Sequence, residues 1–435
     1  MSIKTSLIKN TGFNLAGYIY LLLASFFSIS ILLGNLGRDL FGVYLFLGSF
    51  IPLAAVFDFG ISNAVVRKLS LPNIENIERI AVWKTSFGLF LAISVCLSLA
   101  VWGILTYVTG TLPMFRILDQ SILNWTVLIL AITVFINHLN SHFLSLPQAE
   151  QRFDIFNSKT FLVGTGNTIL SALLSIIYPN IALIFLLQLI FHLLTLLYMA
   201  NYSFKRFPGK SFLPGYKKEE GRGIIDFGLK NFAGTLANQV DVQISKYALG
   251  SLASASAITA FSIPQNIVLK GAGVISQISQ VVFPLSSSLL EKTRIEKLKK
   301  MVLGIELFTL LCGILAIVLS FTVGKEFLLW WLKDAVVVSV AFPILKIMSI
   351  YFLITALTPI PSVLVQSIGK PQTTSFFAIL TMVVDGILMF ILIPRFGVLG
   401  AAYATLLSSL LTVPPFLVVA WILFNKEIRR TQSPV

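Results

Sequence analysis

Charge and cysteine are the scarce materials of this chain. Only 11% of its 435 residues are charged, against 56% hydrophobic, and there are two cysteines and three histidines. Cys96 and Cys312 both sit inside apolar runs, which excludes a disulfide scaffold and a cysteine-rich metal site. No GxSxG, no Walker A sequence and no metal-ligand cluster occurs, and no outer loop is long enough to house a glycosyltransferase or polymerase head. His138 and His142 have the i, i+4 spacing of zinc ligands, but no glutamate follows His138 and no third ligand accompanies them, so no metal is expected. Chemistry on a substrate is therefore not expected. The first apolar run has no small-residue cleavage site and leads directly into further runs, so it is expected to remain as the first helix.

What the chain does have is hydrophobic length. A mean hydropathy of +0.90 is far from that of a soluble domain and marks a polytopic all-α membrane protein embedded in a lipid bilayer. Runs long enough to span fall near residues 14–34, 41–64, 82–108, 122–146, 160–178 and 181–200. After a polar interruption they resume near 224–249, 255–289, 301–324, 342–368, 372–393 and 398–423. The organisation is twelve helices: a six-helix lobe over 1–200, a linker over 201–223 with six basic residues, and a second six-helix lobe over 224–435.

The net charge of +14 would be compatible with nucleic acid, but its distribution argues otherwise, because the basic residues occupy short loops between apolar runs. Alternate loops hold 23 Lys and Arg on one side and five on the other, with four more lysines inside helices. By the positive-inside rule both termini and the linker are cytoplasmic. The halves also look related: Asn14-Leu15-Ala16-Gly17 recurs as Asn231-Phe232-Ala233-Gly234, Gln148 and Arg152 recur as Gln366 and Lys370, and Pro179 and Pro394 each open the sixth helix of their half. An even-numbered repeat makes the lobes parallel about an axis along the membrane normal, with the cargo site expected between them.

Polar groups inside the spans carry the functional reading, since lipid does not tolerate them. In Ile224–Leu249, Asn231, Gly234, Asn238, Asp241 and Ser245 fall on one helical stripe. In the next helix Thr259, Ser262, Asn266, Lys270, Gly273, Gln277, Gln280 and Pro284 do the same, with Lys270 near the middle of the helix. Lys230, Lys246 and Lys346 extend a ladder of positive charge for an anionic cargo, with Asn231, Asn238, Asn266 and Gln277 as amide partners. For Lys246 and Lys346 the alternative is snorkelling to the outer interface. Asp241 and Asp385 are candidates for ion coupling, or each neutralises a lysine, as Asp241 would Lys246. Asp58, in FDFG, and Glu306 lie nearer the cytoplasmic ends and read as gating or structural.

Several segments, in order, carry a resemblance: Asn14 with Gly17, LGRDLFGVYLFLGSFIPLAAVFDFGISNAVVRKLS (Leu36 to Ser70), FGLKNFAGTLANQVDVQISKYALG, VVFPLSSSL, PSVLVQSIGKPQ and LIPRFGVLGAAYATLLSSLL. Across nearly the whole chain they resemble the Wzx-type polysaccharide flippases. The resemblance implies the multidrug/oligosaccharidyl-lipid/polysaccharide exporter fold, with two six-helix lobes about a central polar, cationic cavity. It also implies a cargo, an undecaprenyl-diphosphate-linked oligosaccharide moved from the cytoplasmic to the periplasmic leaflet of a bacterial inner membrane for O-antigen or a related surface polysaccharide. Coupling to a proton or sodium gradient, and work beside a polymerase and a chain-length regulator, are implied in the same way; no cofactor and no nucleic-acid partner are. A drug exporter of the same fold is the alternative, although it would line its cavity with acids and aromatics rather than lysines. A membrane glycan polymerase or ligase is a more distant one.

Overall fold

The described residues are helical nearly throughout and hold twelve candidate membrane passes. The computed structural model describes residues 3–280 and 295–432, with side chains described except at 3–16, 227, 230, 231, 280, 295–299 and 429–432. Among the described residues ten segments are long and apolar enough to cross a membrane. One of these, Gly17–Asp58, is two passes joined at Gly37, whose φ of 74° and ψ of 168° break the helix. Glycine is the residue that adopts this conformation without a Cβ penalty. The charged helix Lys218–Leu252 adds the twelfth.

The N-terminal unit is residues 1–232. Its helices are α1 (Ile3–Gly48), α2 (Phe50–Ala55), α3 (Ile61–Leu69), α4 (Asn76–Thr111), α5 (Gln120–Ala149), α6 (Phe153–Phe156), α7 (Ser158–Thr165), α8 (Ser171–Ile177), α9 (Ile181–Phe204) and the first part of α10 (Lys218–Leu252). Trp83, Phe90, Val65, Leu146 and Met199 form a hydrophobic core in it together with Phe207 and Ile224. The second pass is broken: Phe59 and Gly60 take positive φ, 53° and 71°, between α2 and α3. Between α7 and α8, Gly166–Leu170 forms a π-helical turn, closed by the Ser171 hydroxyl donating to the Gly166 carbonyl at 2.7 Å. Pro179 lies in the connection before α9, whose first N–H groups are capped by Asn180.

The segment 201–223 is a built structure. α9 runs on to Phe204, a short 3-10 turn covers Gly209–Phe212, and α10 begins at Lys218. Phe207 stacks on Trp83 at 4.8 Å and 5°, and Phe212 on Phe143 at 5.8 Å and 22°. Backbone bonds finish the attachment: Gly215 N donates to the Lys84 carbonyl at 2.9 Å and Lys217 N to Thr85 Oγ1 at 3.0 Å. Glu150 gathers Arg79 at 2.9 Å and Arg206 at 2.7 Å, and Lys68 pairs with Glu220.

The C-terminal unit is residues 233–435. It holds the rest of α10 and α11 (Ala255–Gln280), α12 (Ile295–Thr322), α13 (Gly324–Leu332), α14 (Ala335–Ala356), α15 (Pro359–Ser367), α16 (Pro371–Phe396) and α17 (Val398–Gln432). α14 is central, packing against α11, α12 and α17. Small residues set the close approaches: Gly234 lies against Ser375, Gly386 against Ile244, and Gly271 against Phe352. Pro394 lies inside the end of α16 rather than at the start of the last helix, which opens at Val398 after Gly397 (φ 59°). The division between the units falls inside α10, at Phe232/Ala233, whereas the composition shift in the sequence marks 201–223.

Candidate functional site

The polar centre of the C-terminal unit is assembled from four helices. α10 brings Asp241, α14 brings Tyr351, α16 brings Asp385, and α17 brings Thr405 and Ser408. Contact between Gly386 and Ile244 is what allows α10 and α16 to come together here: a Cβ on Gly386 would stand 3.0 Å from Ile244 Cδ1. Asp385 is 1% exposed, and the hydroxyls of Thr405 and Ser408 lie within hydrogen-bonding reach of its carboxylate. Asp241 is within electrostatic range of Asp385, and Tyr351 of both. One oxygen of each carboxylate, Oδ1 in both cases, is buried without a hydrogen-bond partner.

Two carboxylates and two hydroxyls within electrostatic range of one another have a defined chemistry. Like charges so placed repel, and each buried oxygen without a donor has lost its water. A proton or a monovalent cation supplies what both lack. Asp241 does not form an ion pair with Lys246, because the Lys246 ammonium donates instead to Gln243 Oε1 at 2.6 Å.

The remaining residues singled out in the sequence are distributed as follows. Lys270 is half-buried on α11, as are Asn266 and Gln277. The Asn266 amide donates back to the Ser262 carbonyl at 2.8 Å, and Asn238 is exposed on α10. Ser245 leaves the α10 stripe to meet α11, accepting from Gln265 at 3.3 Å. The ammonium of Lys346 sits over the rings of Phe342 and Phe321 at 4.3 and 5.1 Å. Lys230 and Asn231 lie outside the described side chains, as does Gln280, and Pro284 lies outside the described residues. Glu306, on α12, has a buried Oε1 without a hydrogen-bond partner.

Asp58 belongs to the N-terminal unit and has a local task. Its Oδ1 accepts from the Gly60 N–H at 2.8 Å and its Oδ2 from the Ser62 hydroxyl, which fixes the break between α2 and α3. His138 and His142 face α4, where His142 stacks on Phe87 at 5.0 Å and 8° and its Nδ1 meets Ser86 Oγ at 3.3 Å.

Sequence reasoning did not single out Tyr351, Thr405 or Ser408. A signal was present for the last two: Thr405, Ser408, Ser409 and Thr412 follow one another at helical spacing through an otherwise apolar helix.

Comparison with known proteins fits this architecture. A Shigella flexneri protein named "Putative O-antigen transporter" is 24% identical over 415 residues, covering 91% of this chain and 93% of that one. The lipid II flippase MurJ in an inward closed conformation superposes with a TM-score of 0.72 at 16% identity, over 95% of this chain and 90% of that chain. An inward-facing multidrug resistance MATE family transporter of the MOP superfamily gives 0.71 at 14% identity, over 100% and 97%. The fold is thus that of the MOP-superfamily transporters. Residues 7–290 match the family described as Polysaccharide biosynthesis protein, and the chain is a multi-pass membrane protein belonging to that family.

Proposed function

We propose that this protein is a transporter, not an enzyme, that flips undecaprenyl-diphosphate-linked oligosaccharide repeat units from the cytoplasmic to the periplasmic leaflet of a bacterial inner membrane. Both termini are cytoplasmic on this reading, and the product feeds O-antigen or a related surface polysaccharide. A polymerase and a chain-length regulator are the partners expected downstream. Family membership and the O-antigen relative support the cargo class. Moving a diphosphate and several sugars through hydrocarbon is prohibitive, so a flippase must offer cations to the phosphates and amides or hydroxyls to the sugars. Lys270, with Asn266 and Gln277 on the same helix, supplies those groups.

The observation that carries the mechanism is the buried carboxylate of Asp385 with the half-buried Asp241 in electrostatic range of it. A site that binds a proton or sodium when exposed to one side, and releases it to the other, lends its gradient to the reorientation of the protein. The test is a leaflet-resolved assay of lipid-linked repeat units, in cells lacking the protein and in proteoliposomes carrying it. Units confined to the cytoplasmic leaflet in the deletion, and flipping in vesicles accelerated by an imposed proton or sodium gradient, are expected. Units that reach the periplasmic leaflet normally and only fail to polymerise would overturn the reading.

A further inference from the structure

Within the N-terminal unit, α3 and the start of α10 meet at two levels. Gly60, just before α3, lies so close to Gly228 that a Cβ on it would stand 2.7 Å from the Gly228 carbonyl oxygen. Two turns further along α3, Lys68 pairs with Glu220, whose side chain is buried. Partners along α3 thus run backwards along α10, and the two segments are antiparallel. Between those levels each helix carries only a small residue, Ala64 on α3 and Gly223 on α10. The flanking contacts fix the separation, and neither of these residues reaches across it. The space left is a cavity of about 290 Å³, lined by Ala64, Arg67, Lys68, Leu71 and Gly223. That is close to the lower end of the volumes that hold small ligands, about 300–1,000 Å³.

The chemistry of its walls is that of an anion site. Arg67 and Lys68 bring a guanidinium and an ammonium to it, and among the described residues its lining includes no carboxylate. Glu220 stands outside the lining and holds the Lys68 ammonium beside Gly223, where a Cβ would lie 3.5 Å from Nζ. An ammonium has three donors, so one carboxylate does not exhaust it. Leu71, 51% exposed, adds an apolar edge. Arg67, Lys68, Glu220 and Arg222 also mark the level of the bilayer surface, because charges gather where the hydrocarbon ends. The cavity therefore lies at the depth of the lipid headgroups.

We propose that this cavity binds the headgroup of an anionic phospholipid. Arg67 and Lys68 take the phosphate by charge-assisted hydrogen bonds, the glycerol of the headgroup fills the space over Ala64 and Gly223, and Leu71 meets the start of the acyl chains. Glu220 is a positioning residue, since it sets where the Lys68 ammonium stands. The volume suits a phosphate with a glycerol and leaves no room for a diphosphate carrying several sugars, so the site is one for membrane lipid and does not depend on the flippase reading. Arg67 and Lys68 also occupy the last turn of α3, where cations complement the helix dipole. That role is indifferent to lipid and to the side chain at Gly223.

Thermal unfolding of the purified full-length protein in a neutral detergent tests this, with phosphatidylglycerol, phosphatidylcholine or undecaprenyl diphosphate added to the micelles. Phosphatidylglycerol is expected to raise the midpoint of the wild type and phosphatidylcholine to leave it in place. Half-saturation should weaken about tenfold or more in Gly223→Leu, which fills the cavity and keeps both cations, and in Arg67→Gln. It should stay within about threefold in Arg222→Gln, which removes an equal charge from a side chain 83% exposed and outside the lining. No response of the wild type to phosphatidylglycerol, or one that survives unchanged in Gly223→Leu, overturns the site. Equal weakening in Arg67→Gln and Arg222→Gln means diffuse attraction to a charged micelle and overturns it as well. If Gly223→Leu and Arg67→Gln weaken only the response to undecaprenyl diphosphate, the cavity belongs to the cargo and the phospholipid assignment fails. Should Gly223→Leu fail to fold, the comparison of Arg67→Gln with Arg222→Gln decides. Flipping by the wild type is scored separately in the leaflet assay, so its absence would overturn the flippase reading and leave this site standing.

Discussion

Among the individual residues, the lysines of the C-terminal unit separate into unequal kinds. Lys346 is held over two phenyl rings and Lys246 by a glutamine, whereas Lys270 is half-buried on a helix lined with amides. Lys346→Gln is expected to lose about 1 kcal/mol of stability, the worth of its ring contacts, and to keep flipping near the wild-type rate. Lys270→Gln is expected to abolish flipping at normal protein level, and Lys270→Arg to retain much of it; leaflet-resolved counting of lipid-linked units separates the three. Asp385→Asn keeps the shape and the approach of Thr405 and Ser408 while removing one of the two ionisable carboxyl groups. Its flipping in vesicles should no longer respond to an imposed gradient, and a gradient response equal to the wild type would exclude Asp385 from coupling. The sequence made Asp241 and Asp385 visible as charges inside apolar runs. Their proximity was not visible, because periodicity orders residues along one helix and says nothing about which turns of two distant helices meet.

Among the elements, α10 and the broken second pass show how backbone geometry fixes a helix. Gly60 and Gly228 approach so closely that a Cβ on Gly60 would stand 2.7 Å from the Gly228 carbonyl, and Phe232 packs on Phe59 at 4.7 Å beside them. Gly60→Ala also places a side chain at φ 71°, so a loss of roughly 1–3 kcal/mol is expected. Gly228→Val is expected to cost a similar amount, about 1–3 kcal/mol, by forcing a side chain into the Phe59 carbonyl. The segment 205–217 makes a second prediction at this scale. Phe207→Ala removes the ring stacked on Trp83, at a cost of about 3–5 kcal/mol typical of a buried phenyl, and should expose Lys210 and Lys217 to trypsin under conditions in which the wild type is cut slowly. Composition read this stretch as a surface linker, because six basic residues, two prolines and four glycines dominate it. The aromatic residues that attach it, Phe207 and Phe212, are too few and too irregularly spaced to register as a pattern.

For the whole molecule, the span count was legible because hydrocarbon thickness imposes a length on every pass, whatever its neighbours. The three passes hardest to delimit were those with other jobs: the first and second, which join at a single glycine, and α10, whose charges lower its hydropathy. Topology follows from charge, so a cysteine at Ser211 is expected to react with a membrane-impermeant maleimide only in inverted vesicles, and one at Trp330, 68% exposed on α13, only in intact cells or spheroplasts. The reverse pattern would place the termini outside.

The attachment of Phe207 and Ile224 to the same core as Trp83, Val65 and Met199 also sets an order of events during synthesis. Six passes can enter the bilayer while that core still lacks two of its own side chains, which emerge from the ribosome only afterwards. Until they do, Trp83 lacks the Phe207 ring that stacks on it and is open on that face to a chaperone or protease. A nascent chain halted after residue 200 should therefore be degraded quickly, and one released from the exit tunnel through residue 232 should persist.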